Sequence, residues 1–279
     1  MSRLAVAAAV AAVALTGCTD TQKRGFLPKG VTTDKDVVTN LWVGSWIAAL
    51  AVGVLVWGLI IFCVVAYRRR KDDDSVPVQL RYNLPIEILY SVIPLFMIGA
   101  LFYYTARDEA TLLKVSDNPN NVVNIVGKRW AWDFNYLSND VYEASVQTPV
   151  TAGGVDQAAA PVLYLPVDKS TQFVLTSRDV IHSFWVPAFL MKMDMLPGLV
   201  NTFQVTPTEI GTYTGKCAEL CGTYHSQMLF SVKVVSQADY DQHMAELKAK
   251  GQTGLLPNSL SLENLEPGQA EKIPNVGGQ

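Results

Sequence analysis

Two stretches of this chain are apolar on every face, and most of the sequence beyond them alternates. Leu41 to Tyr67 contains no charged residue. As a helix rising ~1.5 Å per residue it would reach ~40 Å, more than the ~30 Å hydrocarbon core of a bilayer. Ile88 to Ala106 is a second uncharged run, nineteen residues long. Neither has a polar face to turn to water, so both predict membrane-spanning helices. After Asp108-Glu109 the pattern changes to short runs rich in Val, Phe, Tyr and Thr between Gly, Pro and Asn. Asn121 to Val126, Trp130 to Tyr136, Thr171 to Thr176, Val200 to Val205 and Met228 to Val235 read as strands of a sandwich or barrel. Trp130, Trp132, Phe134 and Tyr136 recur every second residue and so share one strand face, the usual pattern of a sandwich core. Ser236-Gln-Ala-Asp239 predicts a helix start, with an acid three residues after the cap, and a helix to about Lys250. Thr148 to Pro161 predicts an exposed loop, and residues 251–279 a loose tail without periodicity. His243 is expected as a solvated residue of the last helix.

Charge sets the direction of the apolar runs. Arg68-Arg69-Arg70-Lys71 lies between them, and basic residues beside a span favour the cytoplasmic side. The chain on either side of the helix pair then faces outward. Trp42, Trp46, Tyr103 and Tyr104 fit an interfacial belt at the outer ends. At the N-terminus, Arg3 followed by Leu4 to Leu15 predicts an export signal, since the run is too short to span. Leu15-Thr16-Gly17-Cys18 looks like a bacterial lipobox, which makes residues 1–17 the signal and Cys18 the lipidated terminus. An ordinary short signal or an uncleaved anchor is the competing reading. Cys63 sits in an apolar run and reads as inert packing. With 279 residues, 49% of them hydrophobic, and a net charge of −3, the chain holds one globular domain beside its membrane segments. The bilayer is an expected partner and nucleic acid is not. The expected division is 18–40 outer segment, 41–107 transmembrane hairpin, 108–236 β domain, and 237–279 terminal helix and tail.

The candidate chemistry is concentrated in Cys217-Ala-Glu219-Leu-Cys221-Gly-Thr-Tyr-His225-Ser-Gln-Met228. Two thiols, an imidazole and a thioether fall within twelve residues. Thiolates and thioethers select copper, and imidazole suits it. One Cys, two His and a weak Met make a mononuclear electron-transfer site, and this chain has one Cys too many. Two bridging thiolates, with one histidine for each metal, would hold two copper ions. A Cys-x-x-x-Cys pair in an exported domain also reads as a disulfide. His182, in Asp179-Val-Ile-His182-Ser-Phe-Trp-Val-Pro187, reads alone as a satisfied core histidine, and gains weight from the Cys-His-Met loop.

Gly215-x-Cys217-Ala-Glu-Leu-Cys221-Gly-x-x-His225-x-x-Met228 resembles the dinuclear copper (CuA) loop of subunit 2 of haem–copper cytochrome c oxidases. The Asp179–Pro187 segment and Lys192-x-Asp194-x-x-Pro197-Gly198 match as well, and the resemblance covers about residues 35 to 236. It implies a cupredoxin-like Greek-key β-sandwich behind a two-helix transmembrane hairpin, at the bacterial plasma membrane with the copper domain outside. It implies Cys217 and Cys221 as bridging ligands, His182 and His225 as one ligand each, Met228 as a weak ligand and Glu219 through its backbone carbonyl. The Glu219 side chain would also reach a magnesium ion at the border with subunit 1. Subunits 1 and 3 are implied partners, with the haems on the partner subunit. The electron donor would be a c-type cytochrome, diffusing or tethered in a cytochrome bc supercomplex.

Further roles come from the same resemblance. Trp130 matches the tryptophan through which electrons enter. Glu87, in Leu84-Pro85-Ile86-Glu87-Ile88, matches the mouth of a proton pathway, although a carboxylate at a helix start is also favoured by the helix dipole. By charge rather than by resemblance, Asp133, Asp140, Glu143 and Asp179 are candidates for an acidic docking face, with scattered solvated acids as the alternative; Asp179 alone stands in a matching motif. Leu199 stands where many relatives have arginine, which touches no copper ligand. A copper chaperone would need an open, metal-releasing site, a quinol oxidase subunit would lack the ligands, and nitrous oxide reductase lacks the helix pair. The expected activity is the electron-accepting step of a proton-pumping oxidase that reduces oxygen to water on subunit 1.

Overall fold

The computed structural model describes residues 19–71, 76, 78–256 and 269. It forms two compact units, one built on Val37–Ala110 with the residues leading to Leu27, the other on Pro28–Asp36 with the chain from Thr111 onward. The predicted signal and Cys18 lie outside the described residues, as does most of the predicted tail.

Among the described residues, the first unit is built on three helices. Helix α1 (Asp20–Lys23) is a single turn closed by a capping box between Thr19 and Gln22. Helices α2 (Lys35–Ala66) and α3 (Leu84–Leu112) are each long and apolar enough to cross a membrane. Both run past the uncharged segments at their N-terminal ends, because backbone hydrogen bonding continues into the polar flanks. The start of α3 is closed reciprocally. Asn83 Oδ1 accepts the Ile86 amide (3.4 Å), and the Glu87 carboxylate accepts the Asn83 amide (2.9 Å). Thus Glu87 satisfies a donor at a helix end, as its position at the N-terminal turn predicts.

The second unit is a β-sandwich. Its strands are β1 (Asn121–Lys128), β2 (Ala131–Tyr136), β3 (Val141–Glu143), β4 (Val150–Thr151), β5 (Gly154–Val155), β6 (Val162–Pro166) and β7 (Thr171–Ser177). They continue with β8 (His182–Val186), β9 (Met191–Met195), β10 (Asn201–Val205), β11 (Gly211–Cys217) and β12 (Leu229–Val235). One sheet runs β10-β7-β1-β2-β3 and the other β6-β12-β11-β8-β9, with β4-β5 a small separate hairpin. The β1–β7 and β6–β12 pairs are parallel and the other pairs antiparallel. The connections cross between the sheets, which is the Greek-key, cupredoxin-like arrangement.

Period-two alternation builds the core. Val123, Ile125, Phe173, Leu175 and Phe203 from the first sheet meet Leu163, Leu165, Phe184, Phe230 and Val232 from the second. Phe184 stacks on Phe230 with ring centres 4.8 Å apart, and Trp132 meets Phe230 edge-on at 4.9 Å. Gly215 makes room for that stack, since a Cβ there would collide with the Phe230 ring. Trp132, Phe134 and Tyr136 are fully buried, so these three members of the aromatic stripe are core. The opposite face of β2 is buried too, through polar pairing. Asn135 Nδ2 donates to Asn124 Oδ1 (3.0 Å), and Asn124 Nδ2 donates to the Val174 carbonyl (2.9 Å).

Helix α4 (Gln237–Ala249) begins where Ser236 Oγ accepts the Asp239 amide, and it buries Tyr240, Met244 and Leu247. His243 differs from its expected place in solvent. Its ring stacks on Tyr164 at 3.7 Å and its Nε2 lies 3.4 Å from Glu143, because its spacing from Tyr240 along the helix points it at β6 and β3.

Candidate metal centre

The sandwich brings three chain segments to one end. His182 opens β8, Cys217 closes β11, and the loop between β11 and β12 carries Cys221, a short 3-10 turn at His225–Gln227, and Met228. Strand pairing fixes their spacing: the Cys217 amide donates to the Met228 carbonyl (3.0 Å) and the Ala218 amide to the Ser183 carbonyl (3.0 Å). Trp132 Nε1 adds a second bond to the Met228 carbonyl (3.3 Å).

The side chains then form a chain of donors. His182 Nδ1 is 3.8 Å from Cys217 Sγ, which is 3.9 Å from Cys221 Sγ, which is 3.5 Å from His225 Nδ1. Met228 Sδ lies 3.8 Å from Cys221 Sγ, and the Glu219 carbonyl lies 3.2 Å from Cys217 Sγ. The donor atoms of His182, Cys217 and Cys221 fall within 4.8 Å of one another, and these three residues are buried. The two thiols are not joined to each other. The Glu219 side chain is exposed, and its backbone faces the cluster.

Electrostatics make this a site for a cation. Burial, with Cys217 beside it, pushes the Cys221 thiol up to about 12. Two thiolates side by side need positive charge near them, and metal binding displaces their protons. The sulfur separation is under twice a metal–thiolate bond of about 2.3 Å, as measured for zinc, so one ion can touch both. Zinc would use two Cys and two His and leave the thioether without a part. The soft set with Met228 fits copper.

Asp179 prepares the first imidazole. Its Oδ1 accepts His182 Nε2–H at 2.8 Å, which leaves the Nδ1 lone pair on the sulfur side. Burial lowers the His182 pKa and Asp179 raises it, and burial wins, so the ring stays neutral. Burial pushes Asp179 upward, but hydrogen bonds from His182 and from the Arg129 and Val180 amides more than offset it, so the carboxyl stays below its usual range. The Asp-x-x-His spacing was the legible signal for this pair. Gly127 lets the imidazole sit against β1, where a Cβ would come 3.1 Å from His182 Cδ2.

Trp130 is half-buried beside the loop. Its indole meets Tyr224 edge-on at 4.8 Å, and a Cβ on Gly222 (φ +125°) would lie 3.2 Å from its ring. No sequence signal pointed to Gly222 or Tyr224 as its seat. The expected acidic face is corrected by the structure. Asp133 is fully buried, held 2.7 Å from Lys128 Nζ and 3.9 Å from Arg178, because the polar side of β2 faces inward. Glu143 faces His243 and Asp179 faces His182, which leaves Asp140 as the exposed acid of the four. Ile181, Leu220 and Tyr224 are exposed apolar residues of the same segments.

Known proteins resemble this chain. Residues 121–235 match the family described as cytochrome C oxidase subunit II, periplasmic domain. A probable cytochrome c oxidase subunit 2 of Streptomyces avermitilis is 47% identical, covering 92% of this chain and 90% of the relative. The cytochrome c oxidase subunit 2 of Mycobacterium bovis is 34% identical, covering 88% and 82%. A crystal structure of the periplasmic domain of subunit II of the Bradyrhizobium japonicum cytochrome oxidase is 29% identical, with a TM-score of 0.43, covering 48% of this chain and 96% of that one. With two apolar helices ahead of an outer-face β domain and a His–Cys–Cys cluster suited to copper, this chain belongs to the cytochrome c oxidase subunit 2 family.

Proposed function

We propose that the chain receives electrons from a c-type cytochrome at a two-copper centre and passes them to haem in subunit 1, where oxygen is reduced to water. The carrying observation is the donor order: two unbonded thiols 3.9 Å apart, each with its own imidazole on the outer side. Cys217 and Cys221 would bridge the metals, His182 and His225 would each hold one, and Met228 and the Glu219 carbonyl would complete the set. When bound, such a copper pair supplies one-electron redox chemistry shared between two metals. The protein's part is to hold the donors still. Strand pairing fixes Cys217 and Met228, Asp179 fixes the His182 ring, and the Phe184–Phe230–Trp132 cluster supports them from beneath. Rigid placement keeps reorganisation small when the charge changes.

The remaining roles belong to the same reading. Trp130 would admit electrons, and its contact with Tyr224 sets it against the loop between Cys221 and His225. The Glu219 carboxylate, exposed here, would meet magnesium at the subunit 1 border. Glu87 would deliver protons from the cytoplasm, and its local cap at the start of α3 is compatible with a carboxylate at the membrane surface. Residues 1–17 would be an export signal, Cys18 a lipid anchor in the bacterial plasma membrane, and subunits 1 and 3 the neighbours. The donor surface is read as apolar, with its acids mostly paired, which suits a tethered donor as well as a diffusing one.

Metal analysis of the purified full chain, with visible, near-infrared and electron paramagnetic resonance spectra, tests the reading. Two coppers per chain with a shared-electron signal are expected. One copper per chain, or a native Cys217–Cys221 disulfide, would overturn it.

A further inference from the structure

The loop between β3 and β6 supplies no ligand to the metal centre, yet it is tied to the strand that directly follows Met228. Ser145 fixes its start, donating its amide to Asp133 Oδ1 (2.9 Å), with its hydroxyl against the Trp132 carbonyl. Gln147 Nε2 donates to Gln227 Oε1 (2.5 Å), within the 3-10 turn that begins at His225. Thr148 is 2% exposed, and its hydroxyl donates to the Leu229 carbonyl (3.3 Å). Gln157 Nε2 donates to the Phe230 carbonyl (2.9 Å) and to Ser231 Oγ (3.1 Å).

The reason for these contacts lies in the sheet. Strand β6 pairs with β12 only from Ser231 onward, opposite Val162. Ahead of that point, Leu229 and Phe230 have β11 on one side and no strand on the other. Buried backbone carbonyls need donors, and the loop's side chains supply them. The first residues of β12 are thereby held by side chains of a loop, and Met228 is the residue immediately before them. We propose that residues 145–157 brace the thioether, and that Gln147 and Thr148 are positioning residues that tune the reduction potential of the metal centre. This rests on the copper reading proposed for the site. The physical link is the thioether: in mononuclear thiolate–imidazole copper sites a weak methionine ligand sets the potential, and Met228 would have the corresponding part here. A shift of β12 moves Met228 Sδ against Cys221 Sγ, and a shift of the turn also carries His225, whereas Cys217 and His182 are held by β11 and β8.

The test uses the assembled, copper-loaded oxidase. Thr148→Val keeps the shape and removes the donor, Gln147→Leu cuts the tie to the turn, and Thr148→Ser retains the hydroxyl. Copper content should equal wild type in all three. Thr148→Val and Gln147→Leu should shift the midpoint potential in the same direction as Met228→Leu and alter the copper hyperfine pattern, while Thr148→Ser should match wild type. In a Met228→Leu background, Thr148→Val should add little further shift, since both act through one bond. Wild-type potential and hyperfine pattern in both loaded variants would overturn the brace, and so would fully additive shifts. Should Thr148→Val fail to assemble, Gln147→Leu, at a half-buried position, carries the same outcomes. A wild-type protein without a two-copper signal would strike the functional reading instead.

Discussion

Replacing Asp179 by Asn should weaken copper binding without unfolding the sandwich. The carboxylate accepts three hydrogen bonds: Oδ1 from the Val180 amide and from His182 Nε2, each at 2.8 Å, and Oδ2 from the Arg129 amide at 2.8 Å. An Asn side chain has one oxygen. With that oxygen toward His182 and Val180, its NH2 group opposes the Arg129 N–H. Flipped, the NH2 group opposes both the Val180 N–H and the His182 N–H, and the ring is driven to carry its proton on Nδ1, the nitrogen needed for metal. The first orientation frees the Arg129 amide of an exposed residue to water, and the second leaves the partly buried Val180 and His182 donors unpaired, at about 1–3 kcal/mol. Outer partners of metal-binding histidines are worth about 10- to 100-fold in affinity, or about 1.4–2.7 kcal/mol. The assay is copper retention by the full chain against a graded concentration of chelator, with thermal unfolding of the metal-free chain in parallel. A chelator midpoint within twofold of wild type, in a folded variant, would refute the claim that Asp179 sets the tautomer and aim of His182.

Four further outcomes are expected. Cys217→Ser should abolish the two-copper signal, because a hydroxyl does not replace a bridging thiolate; metal analysis of the folded variant checks it. Phe230→Ala removes a ring packed against Phe184, Trp132 and Phe134 and should cost about 3–5 kcal/mol of β-domain stability. Chemical unfolding followed by tryptophan fluorescence measures this, and a loss under about 1 kcal/mol would contradict that packing. Trp130→Ala should slow reduction by a c-type cytochrome several-fold while leaving copper content intact; an unchanged stopped-flow rate would return Trp130 to simple packing. Glu87→Gln should slow steady-state turnover several-fold with copper content and first reduction of copper unaffected, and wild-type turnover in an assembled complex would leave only its capping role.

The donor set could be read from the sequence because its members are close in the chain. Cys217, Cys221, His225 and Met228 lie within twelve residues, at the end of β11 and in the loop after it, and only His182 needs the fold to join them. The strands that alternated in Val, Phe and Tyr were legible for the same local reason. Strands β3, β6, β8, β9 and β11 were not, and β4 and β5 form a hairpin inside the stretch expected as a loop. Met191-Lys-Met-Asp-Met and Gly211-Thr-Tyr-Thr-Gly-Lys carry weak or polar alternation, and their strand character comes from pairing with neighbours. The burial of Asp133 was hidden for a related reason: its partners Lys128 and Arg178 come from β1 and from the end of β7, and no spacing rule links them. The ties of Gln147, Thr148 and Gln157 answer a gap in strand pairing, which exists only in three dimensions.

Gly222 and Tyr224 lie between Cys221 and His225, and together they form the seat of the Trp130 indole. The metal loop and this patch of outer surface are therefore one mechanical piece. Any displacement of the loop between Cys221 and His225 is thereby carried outward to the indole, and any push on the indole is carried inward to the loop.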